Sequence, residues 1–228
     1  MNSLIVTLDG PAGSGKSTVA QLLAKRLGVD FLDTGAMYRG ITACAILRGI
    51  DISNEPYALI ELARNQSIRF DWTNDPPSLF IGNLDLTSRI RDSDVTSLVS
   101  DVAAMGPIRE VLVEAQRQIG REHPRLVTEG RDQGSVVFPG ANVKFYLDAK
   151  PRIRAQRRAR QLREAGKPAD VETIYHAILT RDQKDSSRKD SPLVCPTDAE
   201  YIDTSSLSQE QVVDLLESKV RQTVELTA

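Results

Sequence analysis

The sequence predicts an α/β fold in which a mostly parallel sheet lies between two layers of helices. Apolar runs of strand length alternate with segments whose apolar residues recur at helical spacing. The first run, "SLIVTL", is almost continuously apolar, which is typical of a parallel strand buried on both faces. A glycine-rich turn then joins this strand directly to a helical pattern. Strands that alternate with helices favour parallel pairing through right-handed crossovers.

The composition is that of an ordinary soluble protein. The 228 residues are 40% apolar and 26% charged, and the formal net charge is −2. This balance gives no reason to expect a nucleic acid or a membrane as a partner. Cys44 and Cys195 lie far apart without a CxxC spacing, and no apolar run approaches the roughly 20 residues that span a bilayer. We therefore expect free thiols and a monomeric, cytoplasmic protein without a signal peptide.

The first part of the core, residues 1–50, contains two strands that each lead into a helix. The segment "STVAQLLAKRLG" follows the glycine-rich turn with helical periodicity, and Gly28 is expected to cap its C-terminus. "VDFLD" predicts a second strand, and "TGAMYRGITACAILRG" predicts a second helix.

Residues 51–95 differ in character and predict a small α+β insertion between core elements. "EPYALIELARN" is helical in pattern. "SIRFDW" and "SLFIG" read as short strands on either side of the turn-rich "TNDPP".

The rest of the core is assigned to residues 96–150 and 175–228. Helical patterns lie on either side of Pro107, in "SDVTSLVSDVAAM" and "IREVLVEAQRQIGREH", and "RLVTEG" and "VKFYLDA" are the next strands. A basic helix, "PRIRAQRRARQLREAG", precedes a second one, "VETIYHAILTRDQKDSSR", and "EYIDTS" is the last strand. The final helix is expected to begin with a capping box formed by Ser208 and Gln211.

The glycine-rich turn has the spacing of a phosphate-binding loop. Gly10, Gly15, Lys16 and Ser17 match the pattern G-x-x-x-x-G-K-[ST], after a predicted strand and before a predicted helix. Lys16 is expected to bridge the β- and γ-phosphates of a nucleoside triphosphate, and the Ser17 hydroxyl to join a magnesium shell. The predicted ATP-binding residues are Gly10, Pro11, Ala12, Gly13, Ser14, Gly15, Lys16, Ser17 and Thr18. The fold class thereby becomes a P-loop NTPase-type three-layer sandwich, but the acceptor stays open.

Other features favour a small-molecule kinase among the proteins with such a loop. The chain has no Asn-Lys-x-Asp for guanine recognition, which argues against a regulatory GTPase. A motor ATPase is not excluded, because the strand "RLVTEG" ends near Glu129 and Asp132. Between residues 144 and 190, however, thirteen Lys and Arg stand against seven Asp and Glu. This distribution favours a kinase whose arginines close over phosphates.

Two groups of charged residues in this basic region have both a functional and an ordinary explanation. Arg154, Arg157 and Arg158 occupy neighbouring helical positions, either in a lid of about residues 151–174 or on a solvated basic face. In "RDQKDSSR", Arg181, Asp185 and Arg188 share one helical face. They form either an exposed ladder of weak ion pairs or a site that holds a phosphate and a sugar together.

These motifs together resemble the bacterial cytidylate kinases, across essentially the whole chain. The resemblance rests on "DGPAGSGKST", "DTGAMYRG", "EGRDQGSVVFP", "RDQKDSSR" and "SPLV". It implies a nucleoside monophosphate kinase fold with a parallel sheet core, a helical lid and an enlarged nucleotide-binding insertion. It also implies the reaction ATP + (d)CMP ⇌ ADP + (d)CDP with Mg²⁺.

The resemblance further implies roles for residues that match the motifs. The implied substrate-binding residues are Thr34, Arg39, Ser100, Arg109, Arg131, Asp132, Arg181, Asp185 and Arg188. The implied catalytic residues are Lys16, Arg131, Arg157 and Arg158. Ser17 stands where the family often has glycine, and Gln133 stands where a less polar residue is usual; the sequence does not say what Gln133 changes.

The chemistry of cytosine agrees with these implied roles. Its exocyclic amino group donates, and its ring nitrogen and carbonyl accept. Asp132 or Ser100 can accept from the base, and Arg109 can donate to it. Two other hypotheses stay open at this point: a kinase for another monophosphate such as UMP or AMP, and a nucleotide-dependent regulatory protein.

Overall fold

The computed structural model describes residues 3–226 and contains eight strands and eight α-helices within them. The strands are β1 (Leu4–Asp9), β2 (Asp30–Asp33), β3 (Ile68–Asp71), β4 (Ser78–Ile81), β5 (Leu84–Asp85), β6 (Arg125–Gly130), β7 (Val143–Asp148) and β8 (Glu200–Asp203). The helices are α1 (Lys16–Leu27), α2 (Thr34–Leu47), α3 (Pro56–Asn65), α4 (Ser93–Val102), α5 (Gly106–Glu122), α6 (Pro151–Glu164), α7 (Val171–Ser186) and α8 (Gln209–Leu226).

The main sheet has five strands in the order β2-β6-β1-β7-β8, and all its pairs are parallel. The predicted α/β fold with a parallel core is therefore confirmed. Strand β1 lies in the middle and pairs with β6 along its full length, from Leu4 opposite Arg125 to Asp9 opposite Gly130. The chain leaves β1 toward one edge of the sheet and later returns on its other side. Ligands bind at such a switch point, outside the carboxyl ends of the strands.

Two hydrophobic clusters cover the two faces of this sheet. One joins α1 and α8 to the sheet through residues such as Leu23, Leu216 and Phe145. The other joins α2, α4 and α5 to the opposite face through residues such as Ile41 and Leu126. The molecule therefore has the three layers that the sequence predicted, and the carboxyl ends of the strands are held between them.

A second, three-stranded sheet is antiparallel, with the order β3-β4-β5. Leu79 and Ile81 of β4 are buried in the same cluster as Met37 and Ile41 of α2, so the small sheet packs on the helix that follows β2. The sequence pattern predicted β3 and β4 within the insertion but missed β5, which consists of two exposed residues. The assignment of residues 51–95 and 151–174 to separate functional units stays a prediction.

The predicted ends of several helices are confirmed. Gly28 adopts the left-handed conformation at the C-terminus of α1. Before α8, the Ser208 amide donates to Gln211 Oε1 and the Gln211 amide donates to Ser208 Oγ. Pro107 lies in the first turn of α5 instead of interrupting a longer helix. None of the helices in the described part of the chain is long and apolar enough to span a bilayer.

Candidate active site

The glycine-rich loop lies between β1 and α1, at the carboxyl edge of the main sheet. A side chain at Gly10 has no room, because its Cβ would lie 2.0 Å from the carbonyl oxygen of Leu147. Gly10 also has a φ of 144°, which L-residues rarely adopt. The absence of a side chain lets the loop backbone pass close to the end of β7. A loop of this kind binds phosphates through backbone N–H groups and the helix N-terminus.

Lys16 is folded inward over this loop. Its side chain is buried, and its Nζ donates to the Pro11 carbonyl oxygen at 2.9 Å. Burial, followed by the nearby charge of Arg131, lowers the pKa of Lys16 to about 7. Its surroundings therefore disfavour the charged form, and an anion bound at the loop would stabilise that form.

The other loop residues divide between buried and accessible positions. Gly13, Ser17 and Thr18 are exposed, whereas Ser14 is buried. The Ser14 hydroxyl has no hydrogen-bond partner among residues 3–226. The backbone carbonyl oxygen of Ser14 accepts from Thr204 Oγ1 at 3.4 Å. The accessible residues thus face the space above the loop, and the buried ones attach it to the end of β8.

A hydroxyl and two carboxylates meet beside α1. Ser17 Oγ donates to Glu129 Oε1 at 2.6 Å. Burial, together with the charge of Glu129, raises the pKa of Asp33 to about 7. Hydroxyl and carboxylate oxygens are ligands that Mg²⁺ prefers. Ser17 was predicted as a site residue, but Asp33 was not, although Asp33 is the N-cap of α2.

Asp9 connects the glycine-rich loop to the segment that carries Asp132. Its two carboxylate oxygens accept from the backbone amides of Gln133 and Gly134 at 2.8 and 2.7 Å. Burial raises the pKa of Asp9 to about 6, although the two amides oppose this shift. The residue immediately before the phosphate-binding loop therefore fixes the turn that carries Asp132.

Opposite the loop, Asp185 of α7 lies among three arginines. Arg131 Nε donates to Asp185 Oδ2 at 2.9 Å, and Arg188 Nη1 lies 3.9 Å from the other carboxylate oxygen. Burial raises the pKa of Asp185, but Arg131, Arg181 and Arg188 more than offset it, and the pKa lies below its usual value. Burial lowers the pKa of Arg181 to about 10, and its Nε has no partner among residues 3–226. Three guanidinium groups therefore converge on this carboxylate, although the carboxylates of Glu129 and Asp182 also act on Arg131.

Arg109 and Asp132 form a buried ion pair next to this cluster. Their side chains are only 4% and 5% exposed, and Arg109 Nη2 donates to Asp132 Oδ2. Arg109 Nη1 also donates to the Ala103 carbonyl oxygen at 3.0 Å, and the guanidinium lies 5.3 Å from the centre of the Tyr38 ring. The result is a paired donor and acceptor on an aromatic support.

The remaining predicted substrate residues lie around these groups with contacts of their own. Thr34 is buried, and its hydroxyl donates to the Glu129 carbonyl oxygen at 2.7 Å. Arg39 donates to Thr96 Oγ1 at 2.9 Å and to the Ile90 carbonyl oxygen at 3.2 Å. Ser100 is half-buried on α4.

The structure separates the arginines that the sequence grouped on α6. Arg154 is buried and donates to the loop carbonyl of Ala12 at 2.9 Å and to Asp182 at 2.6 Å. Arg157 instead donates to the Thr204 hydroxyl at 3.0 Å, beyond the end of β8. Arg158 is exposed; burial lowers the pKa of Arg39, and the charge of Arg158 adds to this shift. The three therefore face three different neighbours.

Sequence comparisons give a single family. The cytidylate kinase family model matches residues 6–222. The chain is 40% identical over 225 residues to a cytidylate kinase of Streptococcus thermophilus, with 99% of each chain covered. It is 44% identical over 220 residues to a cytidylate kinase of Limosilactobacillus fermentum, with 96% of each covered.

Comparison with solved structures agrees on the fold. A gluconokinase of Sinorhizobium meliloti superposes with a TM-score of 0.53 at 13% identity, over 99% of this chain and 95% of its own. An uncharacterized protein of Eubacterium ventriosum gives a TM-score of 0.54 at 12% identity, over 97% and 99%. At such low identities the likeness supports only the α/β architecture.

Proposed function

The chain belongs to the cytidylate kinase family and phosphorylates CMP at the expense of ATP, and we propose how its own residues divide this reaction. The proposal rests on the buried pair of Arg109 and Asp132. Cytosine offers an amino donor beside acceptors at its ring nitrogen and carbonyl. A carboxylate held next to a guanidinium presents the complementary acceptor and donor. Their burial leaves little room for water to replace a base that does not match.

The donor nucleotide is proposed to bind over residues 10–18. Backbone amides of the loop take the phosphates, and Lys16 exchanges its bond to Pro11 for the β- and γ-phosphates. The α6 helix and its Arg157 and Arg158 are proposed to belong to a lid, which closes over the donor and excludes water as a competing acceptor.

The acceptor nucleotide is proposed to bind between the arginine cluster and the Arg109–Asp132 pair. Arg39, Arg131, Arg181 and Arg188 take its phosphate, Asp185 takes ribose hydroxyls, and Thr34 and Ser100 line the same space. The convergence of Arg131, Arg181 and Arg188 on Asp185 supports this assignment. We propose that dCMP is accepted as well.

The reaction needs no general base. The attacking atom is an oxygen of the CMP phosphate, which is mostly ionised near neutral pH. This oxygen forms a bond to the γ-phosphorus of ATP while the bond from that phosphorus to the β–γ bridging oxygen breaks, giving CDP and ADP. Positioning, and neutralisation of charge by Lys16 and the arginines, supply the catalysis.

Magnesium is proposed as the cofactor. Ser17, Glu129 and Asp33 supply oxygen atoms that suit this ion. Within residues 3–226, no three histidine, cysteine or acidic side chains meet in a ready-made metal site. We propose that the ion arrives with the phosphates of ATP, whose charge it neutralises when bound.

We also propose the binding partners, the oligomeric state and the compartment of the protein. ATP and CMP or dCMP are its partners, without nucleic acid or membrane, and it acts as a monomer in the cytoplasm. Two free cysteines, a buried Cys44 and an exposed Cys195, support a reducing compartment.

An assay across acceptors tests this proposal. ADP formation is followed with CMP, dCMP, UMP and AMP at equal concentrations. We expect CMP to give the highest kcat/KM, with dCMP close behind it. Preference for UMP or AMP would assign the site to another base. ADP production that does not depend on any acceptor would instead favour a nucleotide-dependent regulatory protein.

Arg188→Ala is expected to raise the KM for CMP by about 10- to 100-fold, because a hydrogen bond to a charged group is worth about 1.5–3 kcal/mol. The KM for ATP should change little. Arg121→Ala is the matched control, since Arg121 is exposed on α5 and pairs with Glu114 away from the site. An effect confined to the KM for ATP would move Arg188 to the donor side.

A further inference from the structure

Two buried glutamines lie directly behind the base-reading pair and have no part in the proposed phosphoryl transfer. Gln116 of α5 is 0% exposed, and Gln133, next to Asp132 in the chain, is 1% exposed. Gln133 Nε2 donates to Gln116 Oε1 at 3.0 Å, and Gln133 Oε1 accepts from Thr128 Oγ1 at 2.9 Å. Amides are rarely buried without such bonds, because each lost partner is costly in a dry interior.

The pair joins the same two segments as the Arg109–Asp132 ion pair. Arg109 and Gln116 are seven positions apart on α5, so they lie on one face and about 10 Å apart along the axis. Asp132 and Gln133 are neighbours in the turn. Asp9 already holds the backbone of the turn, and these two separated contacts with α5 add to the constraint on its orientation.

Further contacts hold this turn against its surroundings. Arg117 of α5 donates to the carbonyl oxygens of Val136 and Val137 at 2.9 and 3.2 Å. The Gln133 side chain lies over Gly130, where a Cβ would fall 2.8 Å from Nε2. Burial raises the pKa of Tyr38 to about 12, with the Gln116 side chain opposing the shift, and the ring of Tyr38 lies 5.3 Å from the Arg109 guanidinium. The amides therefore adjoin both the carboxylate and the guanidinium that meet the base.

We propose that Gln116 and Gln133 are positioning residues that set the selectivity for cytosine. The hydrogen bond between the two glutamines fixes the Asp132 carboxylate relative to the Arg109 guanidinium. The acceptor and the donor thereby keep the distance that matches the amino group and the acceptors of cytosine. The proposal rests on the proposed base-reading role of Asp132 and Arg109. Gln133 meets Asp9, the residue before the phosphate-binding loop, through its backbone amide, which a side-chain substitution leaves in place.

The test is a double-mutant cycle read out as the ratio of kcat/KM for CMP to that for UMP. The proteins are wild type, Gln133→Met, Gln116→Met and the double variant, with methionine chosen to keep side-chain volume. Gln118→Met is the matched control, because Gln118 is exposed on α5 and bonds Glu122. The KM for ATP and the free energy of unfolding are measured in parallel.

We expect each single variant to lower the CMP/UMP ratio roughly tenfold, or about 1.4 kcal/mol, while the KM for ATP stays unchanged. The double variant should be more stable than Gln133→Met, because Gln116 no longer leaves an unpaired amide, although Thr128 Oγ1 still lacks its acceptor. It should not recover selectivity. A double variant that folds like wild type and keeps the wild-type ratio would overturn the proposal, even where the single variants fold poorly.

Asp132→Asn in the same assay distinguishes a failure of the positioning role from a failure of the base-reading role. If it lowers the CMP/UMP ratio while the glutamine variants do not, only the positioning role is lost. If Asp132→Asn leaves the ratio at the wild-type value, the base-reading assignment itself is wrong, and the positioning role is overturned with it.

Discussion

Lys16→Met is expected to lower kcat by on the order of 10²–10³, the typical cost of removing one preorganised donor from developing charge. The Nζ of Lys16 is held by Pro11 only 2.9 Å away and is poised above the phosphate-binding loop. Methionine keeps the aliphatic stem, so the loss reflects the charge. Steady-state turnover with saturating ATP and CMP measures it. Lys25→Met is the control, because Lys25 is a largely exposed lysine of the same helix.

Although Lys16→Met lowers kcat, it is expected to raise the free energy of unfolding at neutral pH. Burial lowers the pKa of Lys16 to about 7, below its usual 10.5, so the unfolded chain binds more protons between these values. Wild-type stability therefore rises with pH across this window. At pH 7 and without nucleotide, Lys16→Met should be more stable than wild type, by at most about 5 kcal/mol, and the gain should fade toward pH 10.5. Turnover at the wild-type level would contradict the donor-site assignment, and a loss of stability at neutral pH would contradict the buried charge.

Much of the fold could be predicted because its signals are local. All five strands of the parallel sheet were predicted. The central strands have long apolar runs because both of their faces are covered, whereas the edge strand β8 buries only Ile202. The ends of α1 and α8 followed from Gly28 and from the Ser208–Gln211 capping box. β5 was not predicted, because two exposed residues are too few to show an alternation of apolar and polar side chains. The order β2-β6-β1-β7-β8 depends on long-range pairing that no local pattern contains.

The site was less accessible to sequence reasoning, because its contacts depend on that strand order. Ser17 and Glu129 are 112 positions apart in the chain and meet because β6 lies beside β1. Asp9 was without a role until the structure showed its bonds to the amides of Gln133 and Gly134. Arg154 and Arg157 are near neighbours on α6, yet one reaches the donor loop and the other the residues after β8. Residue types identified the chemistry, but the packed neighbours decide which group each arginine meets.

Removal of the Asp132 carboxylate is expected to have the second large effect. Asp132→Ala should lower the CMP/UMP ratio of kcat/KM by about 10- to 100-fold, because each well-paired base contact contributes about 1–3 kcal/mol of discrimination. Uracil presents an acceptor where cytosine presents its amino donor, so the wild-type carboxylate faces an oxygen when UMP binds. That unpaired, buried contact disfavours UMP. Asp101→Ala, an exposed aspartate paired with Lys184, is the matched control.

The same substitution leaves Arg109 as a buried charge without its partner, which typically costs 3–5 kcal/mol of stability. A fall in selectivity could then reflect a disordered site instead of lost recognition. The double variant Asp132→Leu/Arg109→Met separates these effects, because replacing both members of a buried ion pair by apolar residues is often neutral. We expect chemical denaturation to give it near wild-type stability, whereas its CMP/UMP ratio stays low. If restored stability also restored the ratio, selectivity would have to come from the shape of the site, and the donor–acceptor explanation of cytosine recognition would be wrong.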